Sequence, residues 1–221
     1  MMRVGHTVWA LLLLVVLCAG FWSGDLSADD EIPTRRIGVQ FLNDNLILTF
    51  SYRDAFTGAV KKKLTSGLKT SVVVQLTVER RGEKKPVAFW ARAVEITYDL
   101  WEERFFVIRD DDTGRRRAKV STKEAAMDLA GALEHVEVGP VSNLGGGQFR
   151  IHVKIETNPV SKEMVQTIRA WLARSRAKKS GSQAQTNYFG SFIGALVDRR
   201  ISEAEHTIEF VSQWFQVGAA P

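Results

Sequence analysis

The chain has 221 residues, a single cysteine and a formal net charge of +5 at pH 7. One cysteine excludes an intramolecular disulfide, so the fold rests on its apolar core. The length suits one domain with a core large enough to need no staple.

The first stretch carries an address. Arg3 supplies a positive start, residues 8–19 are apolar, and a polar segment runs on to Leu26, Ser27 and Ala28. This is the pattern of a secretory signal peptide, and the apolar run is too short for a typical spanning helix. Cleavage is expected after Ala28, with an uncleaved N-terminal anchor as the alternative. Cys18 follows Leu17, where a lipid-attachment signal wants a small residue, so a lipoprotein is disfavoured. Residues 1–28 contain Arg3, Asp25 and the only cysteine, so their removal leaves the net charge unchanged and no thiol. The expected location is the periplasm or cell envelope. There a mild basic balance fits anionic lipid or a polyanionic envelope polymer better than nucleic acid.

Residues 36–42 and 46–52 are predicted strands around Asn43, Asp44 and Asn45, residue types that tolerate left-handed backbone. Residues 54–66 are predicted as a helix capped by Asp54 and closed by Gly67, with Phe56, Val60 and Leu64 at helical spacing. The loudest local signal is a meander over residues 68–109. Val72, Val74, Leu76 and Val78 alternate with polar residues, with Val73 interrupting the polar face. A basic hairpin follows at 80–86. Residues 87–100 are the second strand, with Trp90, Val94, Ile96, Tyr98 and Leu100 on one face. Arg92 shares that face, its stem expected along the apolar surface and its head in water. After a turn at 102–104, residues 104–109 form a strand apolar on both sides and therefore central.

Asp110, Asp111, Asp112, Thr113 and Gly114 are expected at a solvated hairpin tip before a short strand ending at Ser121. A helix is predicted over 121–134, capped by Ser121 or Thr122, with Glu124 completing a capping box and Ala125, Leu129, Ala132 and Leu133 facing inward. Residues 136–141 and 149–155 are strands, the second placing Phe149, Ile151, Val153 and Ile155 inward, and Pro159 ends it. Residues 162–174 form a helix with Met164, Ile168, Trp171 and Leu172 on one stripe. The expected division is a signal segment at 1–28, a β-rich domain at 29–176, a flexible linker at 177–185 and a C-terminal helix and strand at 186–221 that pack on the domain. The last strand is predicted over 206–217. Strands mostly adjacent in sequence, with helices between them, give a mostly β (α+β) class: an antiparallel β-sandwich or sheet meander with interspersed helices.

Chemistry is sparse in this pattern. His135, His152 and His206 lie on separate elements, none with a metal-motif neighbour, so structural roles are expected and no metal or cofactor is called for. No nucleophile-elbow motif occurs. Gly145, Gly146 and Gly147 precede a strand rather than a helix, which reads as a hairpin turn rather than a phosphate loop. The aspartates at 110–112 lack the remaining ligands of a calcium loop. Glu95, Asp99 and Glu102 are the one close carboxylate set, and Glu102 is expected off the face of the other two.

Two features favour surface contact. Arg169, Arg174, Arg176, Lys178 and Lys179 form a basic stretch suited to a solvated helix face or to anionic lipid or polymer. Phe189, Phe192, Ile193 and Leu196 fall at helical spacing in the tail, a face for the protein's own core, a membrane or a partner's groove.

The order of elements carries a resemblance. An Asp54-Ala55-Phe56 helix start leads to Leu64 and the valine-rich strand, then the basic hairpin, Ile96-Thr97-Tyr98-Asp99, an aromatic strand, Ser121-Thr122 with an alanine-rich helix, and the strand from Arg150 to Glu156. Over about residues 40–171 this resembles the exported bacterial proteins catalogued as domain of unknown function 4390. The resemblance implies an envelope-facing protein with a signal peptide. Members of that family are often encoded beside a membrane sensor kinase, which implies a signalling partner. The family has no established activity, so it brings no catalytic residues, and the tail from Lys178 departs from its commonest ending. The expectation is therefore a non-enzymatic exported module that binds a membrane protein, lipid surface or envelope polymer. The alternatives are a sandwich holding an apolar ligand, suggested by twelve phenylalanines and six tryptophans, and a hydrolase acting on envelope material.

Overall fold

A computed structural model describes residues 32–159, 168, 170, 173 and 204–218, all within the compact unit that spans 32–221. The fold is mostly antiparallel β in two sheets, with few helices. The larger sheet contains β3 (Thr70–Arg80), β4 (Ala88–Asp99), β5 (Arg104–Asp111), β6 (Gly114–Val120), β8 (Gly147–Pro159), β9 (Ala204–Val211) and β10 (Phe215–Val217). Its order is β10-β8-β3-β4-β5-β6, with β9 beside β10 on the same edge of β8. The smaller sheet has the order β1-β2-β7, from β1 (Gly38–Leu42), β2 (Asn45–Ser51) and β7 (Ala132–Pro140).

The meander is present as β3, β4 and β5, and β6 extends it. Register fixes its faces. Val72, Leu76 and Val78 oppose Val94, Trp90 and Ala88 across β4, and Thr157, Val153 and Ile151 across β8. The apolar residues among them join Leu46, Leu48, Tyr52, Leu133 and Val136 of the smaller-sheet side in one apolar core. Each fully buried valine or leucine contributes about 1.5–3 kcal/mol, and this stack is the main source of stability. Phe149, Ile151, Val153 and Ile155 all lie inward, as their alternation predicts.

The opposite face of the larger sheet is half polar. Val73, Phe89, Ala91 and Ala93 are buried there but stand outside the main core. The C-terminal helix and strand were expected to pack on the domain, and the helix lies outside the described residues. The strand β9 extends the sheet in its own plane, pairing Phe210 with Val153 and Ile208 with Ile155. The predicted strand over 206–217 is broken at Ser212. There the ladder continues through a side chain: Ile151 N–H donates to Ser212 Oγ at 2.8 Å, and Ser212 N–H donates back to Ile151 O at 2.7 Å.

Local chemistry accounts for the joints. Asn43 and Asp44 take positive φ of 50° and 62°, the pair needed for a tight two-residue hairpin between β1 and β2. The first predicted helix is shorter than expected. Arg53–Ala55 is a 3-10 turn, and α1 (Gly58–Lys63) is capped by Thr57, whose Oγ1 accepts from Val60 N–H. Asp54 does not cap it and pairs with Arg35. Likewise α2 (Lys123–Gly131) is capped by Thr122, which accepts from Ala125 N–H at 3.1 Å. Its buried side is Ala126, Met127 and Ala130, one residue out of phase with the expected Ala125 and Leu129. The chain leaves the helix directly into β7, so Ala132 and Leu133 belong to a strand.

Candidate functional site

The residues singled out from sequence as an interaction surface, Arg169, Arg174, Arg176, Lys178, Lys179, Phe189, Phe192, Ile193 and Leu196, lie outside the described residues, as do the linker and the tail helix. Of the predicted helix over 162–174, Ile168, Ala170 and Ala173 are helical, and Ile168 is fully buried. No helix among the described residues is long and apolar enough to cross a membrane.

The carboxylates of the hydrolase alternative are held apart by separate partners. Glu95 faces Lys69 at 3.0 Å and Arg115 at 3.9 Å, and Glu102 pairs with Lys119. Asp99 Oδ1 accepts from the backbone N–H groups of Trp101 and Glu102 at 2.9 and 3.0 Å. Those two amides hold its carboxyl below the usual range. Each carboxylate thus serves a turn or an ion pair.

Three polar features differ from their sequence reading. Arg92 does not reach water. It is 5% exposed on the core face, donates from Nε to Asp111 Oδ2 at 3.0 Å and from Nη1 to Ala132 O at 3.1 Å, and lies 5.2 Å from the Trp90 ring centre. Asp110 and Asp111 are correspondingly buried rather than at a solvated tip, because Asp111 neutralises Arg92 and accepts from Thr113. The Gly145–Gly147 segment does not close a hairpin. It carries the chain from β7 in the smaller sheet to β8 in the larger one, with Gly145 and Gly147 at positive φ.

His152 has partners that sequence spacing could not reveal. Its Nδ1 lies 3.2 Å from Glu79 Oε1 and its Nε2 lies 2.7 Å from Glu209 Oε1, so the ring bridges β3 and β9 across β8. Arg150 Nε donates to the other Glu79 oxygen at 2.8 Å. His135 occupies a strand position with φ of 50° and its N–H donates to Thr49 Oγ1, and His206 sits opposite Thr157. Among the described residues, no group of three or more His, Cys, Asp or Glu side chains is arranged to hold a metal ion.

The feature sequence reading missed is apolar. Leu100 was assigned to the inward face of the second strand, but β4 ends at Asp99. Leu100 and Trp101 then form the tip of the β4–β5 turn, 61% and 96% exposed. Leu68, on the loop between α1 and β3, is 71% exposed. The two loops touch: a Cβ on Gly67 would stand 3.1 Å from Leu100 Cδ1. Gly67 has φ of +79°, a conformation glycine adopts without strain. The available signal was the bulky pair Leu100-Trp101 directly before Glu102-Glu103, where alternation stops.

Comparison with known proteins yields no likeness: no family model matches the chain, and no curated protein or solved structure matches it.

Proposed function

We propose that this is an exported, non-enzymatic module of the cell envelope that acts by binding a membrane protein, a lipid surface or an envelope polymer. The observation that carries the reading is the exposure of Leu100 and Trp101 on the turn at one end of β4, and of Leu68 on the loop that meets this turn at Gly67. A fully exposed tryptophan forgoes the burial energy of a large apolar side chain, and a cluster of such groups marks a contact surface. The ion pairs that engage Glu95 and Glu102 support binding over hydrolysis. Export rests on the signal pattern of residues 1–28.

A photo-crosslinking side chain at position 101, activated in intact producing cells, tests the reading. Capture of an envelope component supports it; capture of nothing, or of cytoplasmic proteins alone, overturns it. Sequencing the N-terminus of protein from the envelope fraction tests export, with Asp29 as the expected first residue.

A further inference from the structure

We propose that the tip formed by Leu68, Leu100 and Trp101 docks into the interfacial layer of an anionic lipid bilayer. This rests on the binding reading above and names the occupant of that surface.

The tip has the right shape for a bilayer and too little area for a protein interface. A stable protein contact buries about 800 Å² per partner around a packed centre. Three side chains on two adjoining turns do not supply that, whereas shallow insertion needs an apolar point with an indole at headgroup depth. Tryptophan suits that depth because its ring is apolar and its N–H remains available to headgroup oxygens.

The tip is also preorganised. Asp99 Oδ1 holds the N–H groups of Trp101 and Glu102, which fixes the turn that presents the indole. Leu100 rests against Gly67, which locks the second loop beside the first. Little backbone conformational entropy remains to be lost on docking.

Charge then selects the lipid. The two loops with their flanks, residues 61–69 and 99–104, carry five cations against three carboxylates. Lys61 and Lys62 are exposed on α1 and have no ion pair among the described residues. Lys63 and Lys69 are paired with Glu205 and Glu95, and Glu102 with Lys119, which leaves Lys61, Lys62 and Arg104 against Asp99 and Glu103, a small cationic excess. Each such lysine near an anionic leaflet favours binding by about fivefold.

The test uses the full chain with vesicles of phosphatidylcholine alone or with about one-third phosphatidylglycerol, a fraction that gives a clearly negative surface. Acyl chains brominated near the headgroup serve as the quencher. The emission of Trp101 is taken as the difference between wild type and Trp101→Phe, so attachment through residues 1–28 does not affect the reading. The expected result is a blue shift and loss of Trp101 emission, stronger with phosphatidylglycerol. Lys61→Gln with Lys62→Gln should reduce that anionic preference by roughly 25-fold. Trp101 emission that ignores the brominated chains and stays open to aqueous iodide overturns the proposal. So does iodide protection that grows with protein concentration without lipid, which would identify a second copy as the occupant. If position 101 crosslinks to an envelope protein while brominated lipid has no effect, the bilayer assignment falls and the binding reading stands. If both experiments fail, both readings fall.

Discussion

Arg92 and Asp111 face each other at 3.0 Å in the core, 5% and 1% exposed, on strands that pair through neighbouring positions. The pair closes a longer connection, because Arg92 also binds the carbonyl of Ala132 where α2 becomes β7. It therefore ties the larger sheet to the smaller one at a point where the apolar core gives way to backbone polar groups.

Removing one member of that pair leaves a buried charge without its partner, at a cost of about 3–5 kcal/mol. Arg92→Met and Asp111→Asn are each expected to lower the urea midpoint severely, and the double variant should lose clearly less than the sum. Burial alone would push the Asp111 carboxyl up, but the Thr113 hydrogen bonds and the Arg92 and Arg116 charges hold it below its usual value of 3.8. A depressed folded pKa gives stability that is full above the unfolded value and lost as pH falls through the folded one. Wild type should lose this contribution only below about pH 4, and Asp111→Asn should lack that part of the acid transition.

The His152 bridge gives the opposite dependence. Burial pulls the imidazole pKa down, yet Glu79 and then Glu209 outweigh it and hold the pKa above the usual 6.5. Its stabilisation is complete below 6.5 and is lost as pH rises through the folded pKa. Glu79 is held below its usual 4.5 by the His152 hydrogen bond, against burial and with help from Arg150, so its part is complete above 4.5 and lost on acidification. Both contributions are full between 4.5 and 6.5. Protection factors along β9, with the intrinsic pH dependence of amide exchange divided out, should be largest in that window and fall above it, and His152→Gln should abolish that fall.

Tyr52 donates its hydroxyl to Ala130 O from a fully buried position, and burial keeps the phenol protonated far into the alkaline range. Tyr52→Phe keeps the ring but leaves the carbonyl at the end of α2 without that donor. A loss of about 1–3 kcal/mol in denaturant unfolding is expected.

Gly67→Ala places a methyl group 3.1 Å from Leu100 Cδ1 on backbone with φ of +79°. The strain should cost about 1–2 kcal/mol, read as a lower melting temperature. The same change should disturb the Leu100 contact that fixes the tip, so the Trp101 emission spectrum should shift even without lipid.

Much of this architecture was legible in advance. Val72 to Val78 and Phe149 to Ile155 alternate cleanly, and both stretches form strands with those side chains inward. The Asn43-Asp44 turn and the Thr122 cap were also readable, because each depends on residues adjacent in sequence. The errors share one cause. Leu100 extended the apolar period of β4 by one step, but Asp99 turned the backbone there. Arg92 looked like a snorkelling side chain, but Asp111, brought alongside by the β4–β5 register, received it instead. The exposed tip was invisible for the same reason: an apolar residue beside a strand end has no periodic partner to show which way it faces.

The sequence alone determined most of the strands, the Asn43-Asp44 turn and the mostly antiparallel β class, because side-chain alternation and left-handed turn residues are local properties of the backbone. Tertiary structure decided which strands became neighbours. It placed β9 in the plane of the larger sheet, set His152 between Glu79 and Glu209, and brought Gly67 against Leu100. Those juxtapositions join residues tens of positions apart, and they follow from burying one shared apolar face, which local spacing does not specify.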